Sequence, residues 1–140
     1  MLLLCDEDCG TGIPKALALV GYATHCLVEL GWAGKKDTEW LPWVGQNEWL
    51  LFSYNKKQLI VPSEWNTIIE HKVGVVYLTS GVENNPRVLL LLLKKWETLE
   101  LLWNTIERPF ARFLHPNGTI TNKFRGLQLP HNKAEQGKLI

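Results

Sequence analysis

The side chains best equipped for chemistry are acidic and fall in short, separate stretches. Asp6 and Asp8 follow the apolar run Leu2–Cys5, and Asp37 and Glu39 open an aromatic-rich segment. Ser53-Tyr54-Asn55-Lys56 trails a third apolar run. Carboxylates gathered in one place repel one another and persist most easily when a divalent cation neutralises them. An all-oxygen donor set suits Mg²⁺ or Mn²⁺. Such ions activate water and screen phosphate charge, which is the chemistry of phosphodiester hydrolysis. Lys35, Lys36, Lys56 and Lys57 flank these acids and suit an RNA backbone. A plainer reading stands beside this one. Asp6–Asp8 suits a polar turn, Asp37 a helix N-cap with no further duty, and a lysine pair a solvated surface.

Other chemistries find less support. His25, His71, His115 and His131 are scattered with no nucleophile beside them. No phosphate-cradling glycine loop of either common type occurs. The three cysteines, Cys5, Cys9 and Cys26, are odd in number and contain no C-x-x-C pair. They read as reduced, packed thiols of a cytoplasmic chain rather than a disulfide framework or a zinc site with His25. Trp40, Trp43, Trp49 and Tyr54 are of a type that stacks on bases. Core packing is the stronger reading for Trp49, Trp96 and Trp103, and Trp32, in a glycine loop, has the best claim to an exposed contact.

The elements that must position these residues follow from hydrophobic pattern and turn chemistry. Leu2–Cys5 reads as a buried strand and Gly10-Thr11-Gly12 as a turn. Pro14 suits the first position of a helix closed by Gly21. Residues 23–30 read as a second strand, and Asp37 as the N-cap of a helix that Pro42 shortens or kinks. Residues 49–53 read as a third strand, Pro62 starts a helix, and residues 73–78 form a β-branched fourth strand. Asn84-Asn85-Pro86 caps a long helix whose apolar stripe includes Val88, Leu92, Trp96, Leu99, Trp103 and Ile106. Pro116-Asn117-Gly118 marks a hairpin between residues 111–114 and 119–121. This alternation predicts an α/β fold with a mainly parallel sheet between helices, ending in a β-hairpin. Ligands of such sheets sit beyond the strand C-termini, where Asp6, Asp8, Asp37, Glu39 and Asn55 would collect.

The chain has 140 residues, which suits one domain, and a formal net charge of +1, which argues against a globally basic nucleic-acid binder. Residues 123–140 carry Lys123, Arg125, Lys133 and Lys138 against Glu135 alone, and read as a basic, flexible tail after a domain spanning 1–122. The longest aliphatic run, Val88–Leu93, is far shorter than the roughly 20 residues a bilayer span needs. No signal peptide is recognisable, and no membrane role is expected. Leu89–Leu93, apolar almost all round, calls for a second cover, either the hairpin or a homodimer partner.

At the acidic stretches the sequence resembles the PIN-like domains related to VapC toxins, the ribonuclease half of type II toxin–antitoxin pairs. The resemblance is carried by Leu3-Leu4-Cys5-Asp6-Glu7-Asp8, Gly21-Tyr22, Asp37-Thr38-Glu39-Trp40-Leu41, Glu48–Ser53 with Asn55-Lys56-Lys57, Val61-Pro62-Ser63-Glu64, Pro109–Arg112 and the Asn117-Gly118 hairpin. It spans roughly residues 2–122, and Asp-x-Glu-Trp-Leu followed by a strand and Pro-x-Glu is its most specific part. It implies a three-layer PIN-like sandwich with an acidic pocket at the strand C-termini. It also implies Mg²⁺- or Mn²⁺-dependent cleavage of single-stranded RNA, restrained by a cognate antitoxin protein. Asp6 and Asp37 match the family's first two acids, with Asp8 and Glu39 as further metal ligands. The third acid belongs in Thr-x-Asp-Lys, and here the stretch is Ser53-Tyr54-Asn55-Lys56. An amide oxygen still ligates a hard cation but carries no charge and cannot act as a base. Two expectations follow: a metal-dependent endoribonuclease using Asp6, Asp37 and Asn55, or a PIN-like module that binds RNA or a protein without cleaving. A receiver-like phosphoacceptor, which needs an Asp near position 55, ranks last.

Overall fold

A computed structural model of the chain describes residues 1–79 and 84–122. The expected basic tail, residues 123–140, and His131 lie outside the described residues. Six strands form one sheet: β1 (Leu3–Cys5), β2 (Thr24–Cys26), β3 (Leu50–Ser53), β4 (Gly74–Leu78), β5 (Phe110–Leu114) and β6 (Ile120–Thr121). Their order is β2-β1-β3-β4-β5-β6, parallel throughout except for the antiparallel β5–β6 hairpin. Four helices, α1 (Gly12–Leu19), α2 (Asp37–Gln46), α3 (Pro62–Glu70) and α4 (Asn85–Thr105), connect or cover the strands. This is the α/β sandwich with a C-terminal hairpin that the alternation predicts.

The central strands are apolar on both faces because both faces are covered. Leu3, Cys5, Leu50, Phe52, Val76 and Leu78 pack against Ile13 and Leu17 of α1 and the Val88–Trp103 stripe of α4. Leu4, Leu51, Val75 and Tyr77, on the alternate face, pack against Trp40, Leu41 and Val44 of α2 and Trp65, Ile68 and Ile69 of α3. The α4 stripe from Val88 to Trp103 is buried as expected, with Leu91 added; Ile106 falls just past the helix end and is only partly buried, and Leu90 and Leu101 stay exposed.

Several boundaries differ from the pattern-based expectation. β2 has three residues rather than eight, because residues 27–31 turn back on themselves through Leu30 N–H to Cys26 O and Trp32 N–H to Leu27 O bonds. Pro14 is the third residue of α1, where its missing N–H is still one that a helix start leaves unpaired. Lys36 occupies the N-cap position of α2 and Asp37 its first turn, where a carboxylate still faces the positive end of the helix. Pro42 does not end α2, which continues to Gln46 and is held by the burial of Trp40, Leu41 and Val44. Trp32 is half-buried, tilted against Trp49 at a ring-centroid distance of 6.2 Å, and Trp43 is the exposed tryptophan, at 51%. All three cysteines are buried and unbridged. Among the described residues no helix is long and apolar enough to cross a membrane.

Candidate active site at the strand C-termini

β1 and β3 are adjacent and parallel, with Cys5 opposite Phe52, so the next residues along, Asp6 and Ser53, meet at the rim. Asp6 N–H bonds Phe52 O at 2.9 Å, extending the ladder one step. The Asp6 side chain is buried; Ser53 Oγ donates to its Oδ2 at 2.7 Å and Glu7 N–H to its Oδ1 at 2.6 Å. Asp8 lies on the short 3₁₀ turn that follows, Glu7–Cys9, and accepts from Tyr54 N–H at 3.4 Å. The helix start brings Asp37 to the same rim, where Gln58 Nε2 donates to its Oδ2 at 2.8 Å. Gln58 is fully buried and is itself oriented by Tyr77, whose hydroxyl donates to Gln58 Oε1 at 2.9 Å. Asn55 caps a second 3₁₀ turn, Lys56–Leu59, with its Oδ1 accepting from Lys57 N–H at 3.2 Å.

These residues face a cleft of about 740 Å³ lined by Asp6, Asp8, Asp37, Tyr54, Asn55 and Lys57, with Glu7 and Asn85 completing it. Thus Asp6, Asp8, Asp37, Asn55 and Lys57 come together as the sequence predicts. Glu39, Lys35, Lys36 and Lys56 do not line the cleft; Glu39, Lys35 and Lys36 are exposed around the start of α2. A larger cleft of about 840 Å³ lies at the opposite rim, among Glu48, His71, Lys72 and Arg108. There Arg108 stacks on Trp103 and pairs with Glu48, and no group of acids converges.

The electrostatics mark the acidic rim as unneutralised. Burial pushes the Asp6 carboxyl up to about 6, the Ser53 and Glu7 bonds oppose this, and the charges of Asp8 and Asp37 add to it. Asp8 is also raised, chiefly by burial, against the bond from Tyr54. Glu64, on the first turn of α3, is raised by burial, then by the adjacent Asp37 charge. A side-chain hydrogen bond with Asp37 adds to the rise. Among the described residues the one ion pair is Arg108–Glu48, so none of these acids has a basic partner within 4.0 Å. Cys9 lies beneath Asp8 beside Cys5, and its thiol is pushed well up by hydrogen bonding with Cys5 and by burial.

A family model described as a PIN-like domain matches residues 1–80, more than half of the 140-residue chain. The chain belongs to the PIN-like domain family. No curated protein and no solved structure matches it. The matched span of this PIN-like domain runs from β1 through β4 and contains Asp6, Asp8, Asp37, Ser53, Asn55, Gln58, Glu64 and Tyr77. A PIN-like domain is a nuclease-type fold, and its acidic rim is the place to test for a metal.

The residues present fit a hard divalent cation. The donors are all oxygen, and among the described residues these acids have no basic partner within 4.0 Å. Among the described residues no three His, Cys, Asp or Glu side chains stand close enough to hold a metal by themselves. Mg²⁺ is commonly bound through one or two carboxylates, with the remaining positions left to water and substrate phosphate. Sequence reasoning did not find the supports. Ser53, Gln58 and Tyr77 act across chain separations, although Tyr77 stands as a polar group in an apolar run.

Proposed function

We propose that the protein is a divalent-metal-dependent endoribonuclease of the toxin–antitoxin type, acting at the cleft between β1, β3 and the start of α2. The observation that carries this is the convergence of Asp6, Asp8 and Asp37, from separate segments, on one cleft with no basic partner within 4.0 Å among the described residues. Asp6 and Asp37 would hold Mg²⁺ or Mn²⁺, with Asp8 and Glu64 adding negative charge. When bound, such an ion supplies a water of lowered pKa and screens the phosphate. The chain's own residues do the positioning. Ser53 fixes the Asp6 carboxylate, and Gln58, aligned by Tyr77, fixes Asp37. Lys57, on the cleft wall, is placed to meet a phosphate oxygen. A cognate antitoxin would restrain the activity by covering the cleft.

One observation favours a second reading, a PIN-like module that binds RNA or a protein without cleaving. The Asn55 side chain is engaged as a cap and brings no charge to the cleft. Incubating single-stranded RNA with Mn²⁺ and either wild type or Asn55→Asp separates the two. Cleavage by wild type, lost in Asp6→Asn, supports the nuclease. An inert wild type with activity gained in Asn55→Asp supports the binding module.

A further inference from the structure

Beyond the span matched by the family, α4 and the β5–β6 hairpin border a third, smaller cleft of about 250 Å³. Arg87, Lys94 and Lys95 line it, together with Leu91, Asn117 and Gly118, and among the described residues no carboxylate does. Arg87, Leu91, Lys94 and Lys95 share one face of α4 because they recur at helical spacing. Glu97 and Glu100, on the same helix, are not on the cleft wall. Among the described residues none of the three cations has an acidic partner within 4.0 Å.

The cleft is built. Gly118 is buried with φ 89°, and a Cβ there would lie 2.5 Å from Lys95 Cε. The lysine stem therefore lies directly over the hairpin turn, which limits where its ammonium group can go. Asn117 Oδ1 accepts from Thr119 N–H at 2.9 Å and holds the turn in shape.

The position of this cleft is as informative as its charge. Asn85, the first residue of α4, lines the acidic cleft, and Arg87 follows two residues later. At about 1.5 Å per residue, Lys94 stands roughly 13 Å along the helix from Asn85, a distance of a few nucleotides. A strand reaching the acidic cleft needs positive charge beside it, since the carboxylates there repel phosphate. Three cations on the adjoining face of one helix, with no acidic partner within 4.0 Å among the described residues, supply that charge.

We infer that the α4–hairpin cleft is a phosphate-backbone track that holds single-stranded RNA leading to the acidic site. This rests on the reading of the protein as one that acts on RNA, but not on cleavage. A phosphate chain laid along the helix would meet Arg87 first and Lys94 and Lys95 about two turns later, touching backbone rather than base.

The test is fluorescence anisotropy of a labelled oligouridylate in chelator, over a range of salt, with the full chain and an Arg87→Gln/Lys94→Gln/Lys95→Gln variant. Gln keeps helix propensity and removes charge. The expected result is roughly tenfold or greater loss of affinity and a shallower dependence of log K on log salt, by about 0.7 for each phosphate no longer neutralised. Unchanged affinity and slope, or a wild-type chain that ignores the RNA, would overturn the track. Reduced binding in the variant together with a wild type that never cleaves in Mn²⁺ leaves the track standing and removes the nuclease reading. Cleavage by wild type together with full RNA binding by the variant does the reverse. Circular dichroism of the variant guards against a folding defect.

Discussion

Asp6 holds a carboxylate where the fold alone prefers a neutral group. Its folded value of about 6 lies above the ordinary 3.8, so the native state favours the proton. The stability this confers is fully present below pH 3.8 and is lost as pH rises through about 6. At neutral pH the ionised group therefore opposes folding by up to about 3 kcal/mol. Asp6→Asn imitates the protonated acid, accepting from Glu7 N–H and meeting Ser53 Oγ. In chelator it is expected to be more stable than wild type at pH 7, with the difference vanishing near pH 3.8. Urea unfolding at several pH values checks this, and a difference independent of pH contradicts it. Tyr77→Phe acts through the opposite logic. It leaves Gln58 Oε1 buried without its donor, which costs about 1–3 kcal/mol. It also frees the amide that aligns Asp37, so both urea stability and Mn²⁺ affinity should fall. Loss of neither would show that Gln58 needs no alignment. The acids were legible in the sequence because each stands at a strand end or a helix start. Their supports were not, since Ser53 lies 47 residues from Asp6 and Gln58 lies 21 from Asp37. No local pattern encodes those pairings.

At the scale of elements, α2 matters because its first turn delivers Asp37, and its far end is wedged against the turn after α3. A Cβ on Gly45 would collide with the His71 carbonyl oxygen, a backbone atom that cannot swing aside. Gly45→Ala is expected to push α2 away and lower stability by about 1–3 kcal/mol. Weakened Mn²⁺ binding should accompany it as Asp37 leaves Gln58, and a melting temperature at or above wild type would contradict the wedge. The strands, the long helix and the hairpin were readable from apolar runs, the Asn84 cap and Pro116-Asn117-Gly118. The length of β2 was not, because residues 27–31 are as apolar as a strand but satisfy their backbone groups locally. Nor was the strand order, in which β3 rather than β2 lies between β1 and β4. That order is fixed by long-range burial on both faces, and it is what places Ser53 beside Asp6.

Over the whole molecule, charge is sorted rather than diluted, despite a formal net value of +1. Among the described residues, acids with no ion-pair partner gather at the C-terminal rim of the sheet, and cations with none line the adjoining α4–hairpin cleft. The larger cleft on the opposite rim is internally paired through Arg108 and Glu48. A polyanion with a required divalent ion complements the first two surfaces together. The most direct test of a metal at the acidic rim is a calorimetric titration of the full chain with Mn²⁺, alongside Asp6→Asn, Asp37→Asn and Glu39→Gln. Saturable uptake by wild type is expected, retained in Glu39→Gln because Glu39 is not on the cleft wall, and abolished in both aspartate variants. No uptake by wild type, or undiminished uptake by Asp6→Asn, would contradict a metal site there.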